Sequence, residues 1–126
     1  PQVSEAILAL AAWCEQKGIA FIHLAEADWD DAPQIPERFR QSLRETFSGT
    51  LIVAGNYDLA KAEEILAAGY ADLIAFGRPF IANPDLPHRL AHRLPLAQVR
   101  DPATLFGGTA TGYTDYSTYT QQEETL

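Results

Sequence analysis

Two strand-like runs in this chain end on a glycine followed by a polar side chain. Leu51-Ile52-Val53-Ala54 leads into Gly55-Asn56, and Leu73-Ile74-Ala75-Phe76 leads into Gly77-Arg78. A short run of Leu, Ile and Val reads as a parallel strand buried on both faces. Glycine at its C-terminal end lets backbone N–H groups approach an anion closely. Arginine adds a permanently charged fork that suits phosphate oxygens. Either strand end alone reads as a turn glycine beside a surface polar group. The pair points to a phosphate cradle.

The elements that must position these residues follow in order. Ser4 caps a helix over 4–17, with Ile7, Leu10, Ala11 and Cys14 on one face and Lys17-Gly18 as its stop. Residues 19–24 read as a strand, and 25–34 as a polar loop containing Glu26, Asp28, Trp29, Asp30 and Asp31. Pro36 opens a second helix, in which Phe39, Leu43 and Phe47 recur at i, i+4 and i+8. Gly49 ends it, and 51–54 is the next strand. Asp58 caps a third helix that stops at Gly69, and 73–76 is the third strand. Pro79 and Pro84 punctuate a short segment, 86–93 reads as a last helix, and the tail 94–126 reads as mostly loop.

Strands alternating with helices give an α/β fold with a parallel sheet and right-handed crossovers. Three parallel strands alone leave both sheet edges unpaired. Two architectures fit, a small three-layer fold or part of a (β/α)8 TIM barrel. A barrel commonly has a phosphate site after strands 7 and 8, beside a short extra helix. The two glycine ends and the segment 79–83 match that description, so the strands are numbered six, seven and eight. Residues 1–126 are then the C-terminal portion of one barrel domain.

The bulk properties narrow the function class. The 126 residues are 47% hydrophobic with a net charge of −8. That balance fits a globular domain and speaks against a nucleic acid or an anionic membrane surface as partner. No apolar run is long enough to span a bilayer, and no leader is signalled, so a cytoplasmic setting is expected. The single Cys14 excludes an internal disulfide and a cysteine-based metal site. His88 and His92 stand four apart without a third ligand, so no metal is expected and they read as a solvated helix face. His23 reads as a core residue of its strand. The chain starts at Pro1, contains no Met and enters a helix at once, as a segment of a longer polypeptide would.

Four stretches then carry a family resemblance. They are Phe21-Ile22-His23-Leu24-Ala25-Glu26-Ala27-Asp28-Trp29, Val53-Ala54-Gly55-Asn56, the run from Ile74 through Phe76-Gly77-Arg78-Pro79-Phe80-Ile81-Ala82-Asn83-Pro84-Asp85 to Leu86, and Phe106-Gly107-Gly108 leading into Gly112-Tyr113-Thr114-Asp115-Tyr116. Together they resemble the old yellow enzyme family, in particular its bacterial N-ethylmaleimide and pentaerythritol tetranitrate reductases. The resemblance implies an FMN-dependent ene-reductase that takes hydride from NAD(P)H and passes it to an electron-poor alkene. It implies that Ala54, Gly55, Asn56, Gly77 and Arg78 lie at the FMN phosphate, and that Trp29 lines the substrate mouth. Phe106 stands where the family usually has Tyr beside the flavin and substrate, so the ring is kept and the hydroxyl is lost. Ser117 replaces a usual Pro.

By the same resemblance, the His-His or His-Asn pair that holds the substrate carbonyl belongs to the N-terminal remainder of the barrel. So do the proton-donating Tyr and the Thr, Gln and Arg at the flavin ring. No catalytic residue is therefore expected in this segment, and the 126-residue chain alone is expected to be inactive. Two other readings stay open: a phosphate-binding (β/α)8 isomerase or lyase segment without flavin, and a non-catalytic fragment that needs a partner chain.

Overall fold

In the computed structural model, α1 (Gln2–Gln16) leads into β1 (Phe21–Ala25), α2 (Glu37–Thr46), β2 (Thr50–Ala54), α3 (Leu59–Ala67) and β3 (Leu73–Ala75). Then come α4 (Arg78–Ala82), α5 (Leu86–Ala91), a 3-10 turn (Pro102–Thr104) and α6 (Tyr119–Glu124). The structure describes residues 2–124; Pro1, Thr125 and Leu126, at the ends of the expected 1–126 segment, lie outside the described residues. The chain divides into two compact units, Pro1–Ala75 and Phe76–Leu126.

In the first unit the helix stops work as their residue types demand. Gly18 and Gly69 adopt φ of +67° and +76°, a region open to glycine at no steric cost. Each turns its chain so that two N–H groups reach back to the last turn. Gly18 and Ile19 bond to the carbonyls of Glu15 and Cys14, and Gly69 and Tyr70 to those of Leu66 and Ile65. This paired closure satisfies carbonyls that the helix end would leave bare. It also explains why β1 begins at Phe21 rather than at residue 19: the N–H of Ile19 belongs to the end of α1. Asp58 caps α3 by accepting the Lys61 N–H at 2.8 Å.

The strands form a parallel sheet in the order β1-β2-β3. One face carries the core, in which Ala11 of α1, Phe39, Leu43 and Phe47 of α2 and its end, and Leu51 of β2 are buried. Ile22, Leu24, Ile7, Leu8, Cys14 and Ile35 pack against them. Burial of each large side chain contributes about 1.5–3 kcal/mol. Arg44 locks the start of β2: its guanidinium bonds to the carbonyls of Phe47 and Gly49, both at 2.7 Å, and to Asp72 at 2.9 Å. Asp72 in turn accepts the Leu51 N–H at 2.8 Å.

The expectation that the strands are buried on both faces is corrected. In β2, Leu51 and Val53 are buried on one face while Ile52 and Ala54 on the other are half-buried, and Phe21 and Leu73 are each more than half exposed. His23, expected in the core, shares the exposed face of β1 with Phe21 within the described residues, because side chains alternate along a strand.

The second unit is organised by two buried polar side chains. Asn83 donates to the carbonyls of Pro79 (2.8 Å) and Ala97 (3.0 Å) and accepts the Ala97 N–H (2.8 Å). Arg89, only 1% exposed, pairs with Asp85 at 2.8 Å and donates to the carbonyls of Pro95 and Ser117. The other oxygen of Asp85 accepts the Tyr119 N–H at 2.8 Å. These bonds tie the tail to α5, with Ser117 serving through its backbone. Two short helical elements interrupt that tail. The later one, α6, opens with a reciprocal cap: Thr118 accepts the Gln121 N–H, and the Gln121 side chain accepts the Thr118 N–H.

Candidate functional site

The register sets Ala25 beside Ala54 and Ala54 beside Ala75. The three strands therefore end level, and open parallel sheets bind ligands beyond such carboxyl ends.

Glu26 follows β1 directly. Its carboxylate takes both terminal nitrogens of Arg40, at 2.5 and 3.3 Å, and accepts the hydroxyl of Tyr57. Both side chains of the ion pair are 7% exposed, and Tyr57 is buried. Burial, and then the hydrogen bond to Glu26, push the Tyr57 phenol up to about 12, so it stays a donor throughout the physiological range. Glu26 also donates its own N–H to the Ala54 carbonyl at 2.7 Å, and Tyr57 donates its N–H to Gly55 at 2.9 Å.

The cluster was not visible as a site in the sequence, although Arg40 offered a signal. It lies three residues before Leu43 and seven before Phe47, on the apolar stripe of α2. A cation on such a stripe requires a buried carboxylate.

The two site glycines differ in what their own unit asks of them. A Cβ at Gly55 would stand 3.1 Å from the Cβ of Glu26, a crowded contact that Glu26 would have to relieve by a few tenths of an ångström. At Gly77, φ is −96° and a Cβ would meet no heavy atom within 4 Å. Its ψ of −88° lies outside the helical and extended regions, whereas packing within its unit does not require glycine there.

Asn56 is exposed at the head of a polar cleft of about 300 Å³ that Trp29, Asp31, Gln34 and Lys61 also line. The structure thus brings together two of the residues singled out in sequence, Trp29 and Asn56. Ala54 is the last residue of β2. In the second unit, Gly77 is the N-cap of α4 and Arg78 its first residue, on the surface. Phe106 is 93% exposed in the tail. An open, mainly apolar cleft of about 500 Å³ runs between α4 and the tail of the same unit, lined by Phe80, Ile81, Pro84, Tyr113, Thr114 and Tyr116.

These groups can bind and position a ligand. No group of three or more His, Cys, Asp or Glu among the described residues could hold a metal ion. His88 and His92 are exposed, with rings tilted by 39° and centroids 4.3 Å apart. No helix among the described residues is long and apolar enough to cross a membrane.

Comparison with known proteins gives a consistent family. The family model described as NADH:flavin oxidoreductase / NADH oxidase matches residues 3–97. The 12-oxophytodienoate reductase 1 of Oryza sativa subsp. japonica is 45% identical over 73 residues, which are 58% of this chain and 19% of that protein. The structure of morphinone reductase in complex with tetrahydroNAD is 42% identical with a TM-score of 0.83, over 91% of this chain and 30% of that one. The old yellow enzyme homologue from Zymomonas mobilis is 33% identical with a TM-score of 0.77, over 88% and 32% of the two chains. The chain therefore spans about a third or less of the length of these relatives.

Proposed function

Because the chain belongs to the NADH:flavin oxidoreductase / NADH oxidase family, the family of the old yellow enzymes, we propose that it is the phosphate-holding C-terminal part of an FMN-dependent ene-reductase. Its strands correspond to the sixth, seventh and eighth of a (β/α)8 barrel. The exposed sheet face and the unpaired edges of β1 and β3 are the surfaces that the N-terminal remainder of the barrel would cover.

The observation that carries this reading is Gly77. Within its own unit its surroundings leave room for a side chain, and that space suits a group that approaches the backbone. A phosphate at the end of a barrel strand is such a group, and a cation follows at Arg78. Ala54, Gly55 and Asn56, at the end of β2 in the first unit, are the further residues that the family resemblance assigns to the phosphate. The donor set fits a phosphate: backbone N–H groups, a carboxamide and a guanidinium.

FMN, when bound, supplies the two-electron chemistry that links NAD(P)H to an electron-poor alkene. This segment's contribution is to hold and orient. Arg78 balances the phosphate charge, Asn56 supplies polar contacts, and Trp29 forms one side of the substrate mouth. Phe106 offers a ring without a hydroxyl to the wall beside flavin and substrate. The carbonyl clamp and proton donor would come from the N-terminal remainder, and the working compartment would be the cytoplasm.

The test is multiple-turnover NAD(P)H consumption by the full-length polypeptide with a panel of enones, wild type against Phe106→Tyr. Enone-dependent consumption is expected. The substitution should shift preference among substrates more than turnover with the best one, because a neutral hydrogen bond nets only about 0.5–1.5 kcal/mol. A uniform change of about a thousandfold or more, roughly 4 kcal/mol, would place position 106 in the chemistry itself. Absence of any enone-dependent consumption would return the strand ends to a flavin-free phosphate site.

A further inference from the structure

The side chains of Glu26, Arg40 and Tyr57 lie behind the proposed phosphate donors and beside the cleft, where Lys61 sits over the Tyr57 ring at 4.7 Å, at the carboxyl ends of two adjacent strands. We propose that these three side chains are positioning residues that set the backbone of Gly55-Asn56, and through it the grip of this strand end on the FMN phosphate. This rests on the functional reading above.

Several observations converge on Gly55-Asn56. Glu26 grips the strand just before it through its N–H to the Ala54 carbonyl. Tyr57, just after it, is held by its side chain to the Glu26 carboxylate and by its N–H to Gly55. Gly55 itself lies against the Glu26 side chain at a distance where its Cβ would be crowded. Arg40 fixes the carboxylate with two bonds from a helix whose neighbouring Phe39 and Leu43 are in the core. The two-residue segment is thus clamped on both sides, and the side chain of Asn56 is left exposed at the cleft.

Stability alone accounts poorly for such a cluster. A buried ion pair is often neutral or worse compared with well-packed apolar residues of the same volume, because both charges lose their hydration. What the pair does provide is directional geometry, which apolar packing does not. Preorganised donors hold an anion without reordering on binding.

The experiment compares FMN with riboflavin, which lacks only the phosphate, by fluorescence titration of the flavin-free full-length polypeptide. Two variants are used: Tyr57→Phe, and the triple change Glu26→Leu, Arg40→Met and Tyr57→Phe, which replaces the cluster by apolar residues. Thermal unfolding is recorded for both. In Tyr57→Phe, FMN affinity should fall about 10-fold, the equivalent of one lost charge-assisted bond, with riboflavin affinity within about 2-fold of wild type. The triple variant should keep the unfolding temperature and lose most of the preference for FMN.

Equal weakening of both flavins, or unchanged affinities in a folded triple variant, would overturn the positioning role. Failure of both variants to fold would make the cluster a stability element and overturn it as well. Should the wild type itself show no preference for FMN over riboflavin, the phosphate reading falls first and takes the inference with it.

Discussion

Replacing Arg78 by Ala in the full-length polypeptide is expected to weaken FMN binding by about 10- to 100-fold. A hydrogen bond to a charged group contributes about 1.5–3 kcal/mol, and each 1.4 kcal/mol is a factor of ten in affinity. Arg78 is a surface residue at the start of α4, so its removal should leave the unfolding temperature nearly unchanged. Riboflavin binding should not respond, because the lost partner is the phosphate. Arg78→Lys should recover only part of the loss, since an ammonium cannot reproduce a planar two-pronged contact. Flavin fluorescence titration reads all of these values. An FMN affinity equal to wild type would make Arg78 a surface cation with no part in the site.

The second large effect is expected in the tail. Arg89 is 1% exposed and holds Asp85, Pro95 and Ser117 at once. Arg89→Ala strands the Asp85 carboxylate and two carbonyls, and breaking a buried pair from one side costs about 3–5 kcal/mol. The loss is local to the second unit, so residues 94–118 should become cleavable by protease before the rest of the chain unfolds. Mass spectrometry of the first fragments checks this.

Acid should weaken the same tie. Although burial works to raise the Asp85 pKa, the bonds from Tyr119 and Arg89 hold it below its ordinary value. A depressed carboxylate contributes stability above its unfolded value near 4, and that contribution fades as pH falls through the lower, folded value. Wild-type resistance in Arg89→Ala would mean that the tail is held by other contacts.

The fold was legible where a residue type has one physical use. Gly18 and Gly69 closed their helices, Asp58 capped α3, and the 3.6-residue spacing of Phe39, Leu43 and Phe47 marked the buried face of α2. Ile19 misled because an apolar residue after a helix-ending glycine serves the helix end rather than the strand. His23, read as a core residue of its strand, is exposed on the face of β1 that is open within these residues. The start of α6 was written in the sequence as Thr118 and Gln121, three apart, and went unread among loop-forming residues.

The site was legible in part. Glycine and a polar residue after β2 and shortly after β3 marked those two ends, and Trp29 and Asn56 do line one cleft. The Glu26–Arg40–Tyr57 cluster was not, because its members lie 14 and 31 positions from Glu26. Only folding brings them together. The one local trace was a cation on an apolar helix stripe.

The central claim is that these strand ends serve a flavin. The most direct measurement is the visible spectrum of the full-length polypeptide, incubated with FMN, freed of excess cofactor and then given NAD(P)H without oxygen. Flavin absorption that stays with the protein, bleaches on adding NAD(P)H and returns on adding an enone is the predicted result. A well-folded protein that emerges colourless from that incubation would contradict the account.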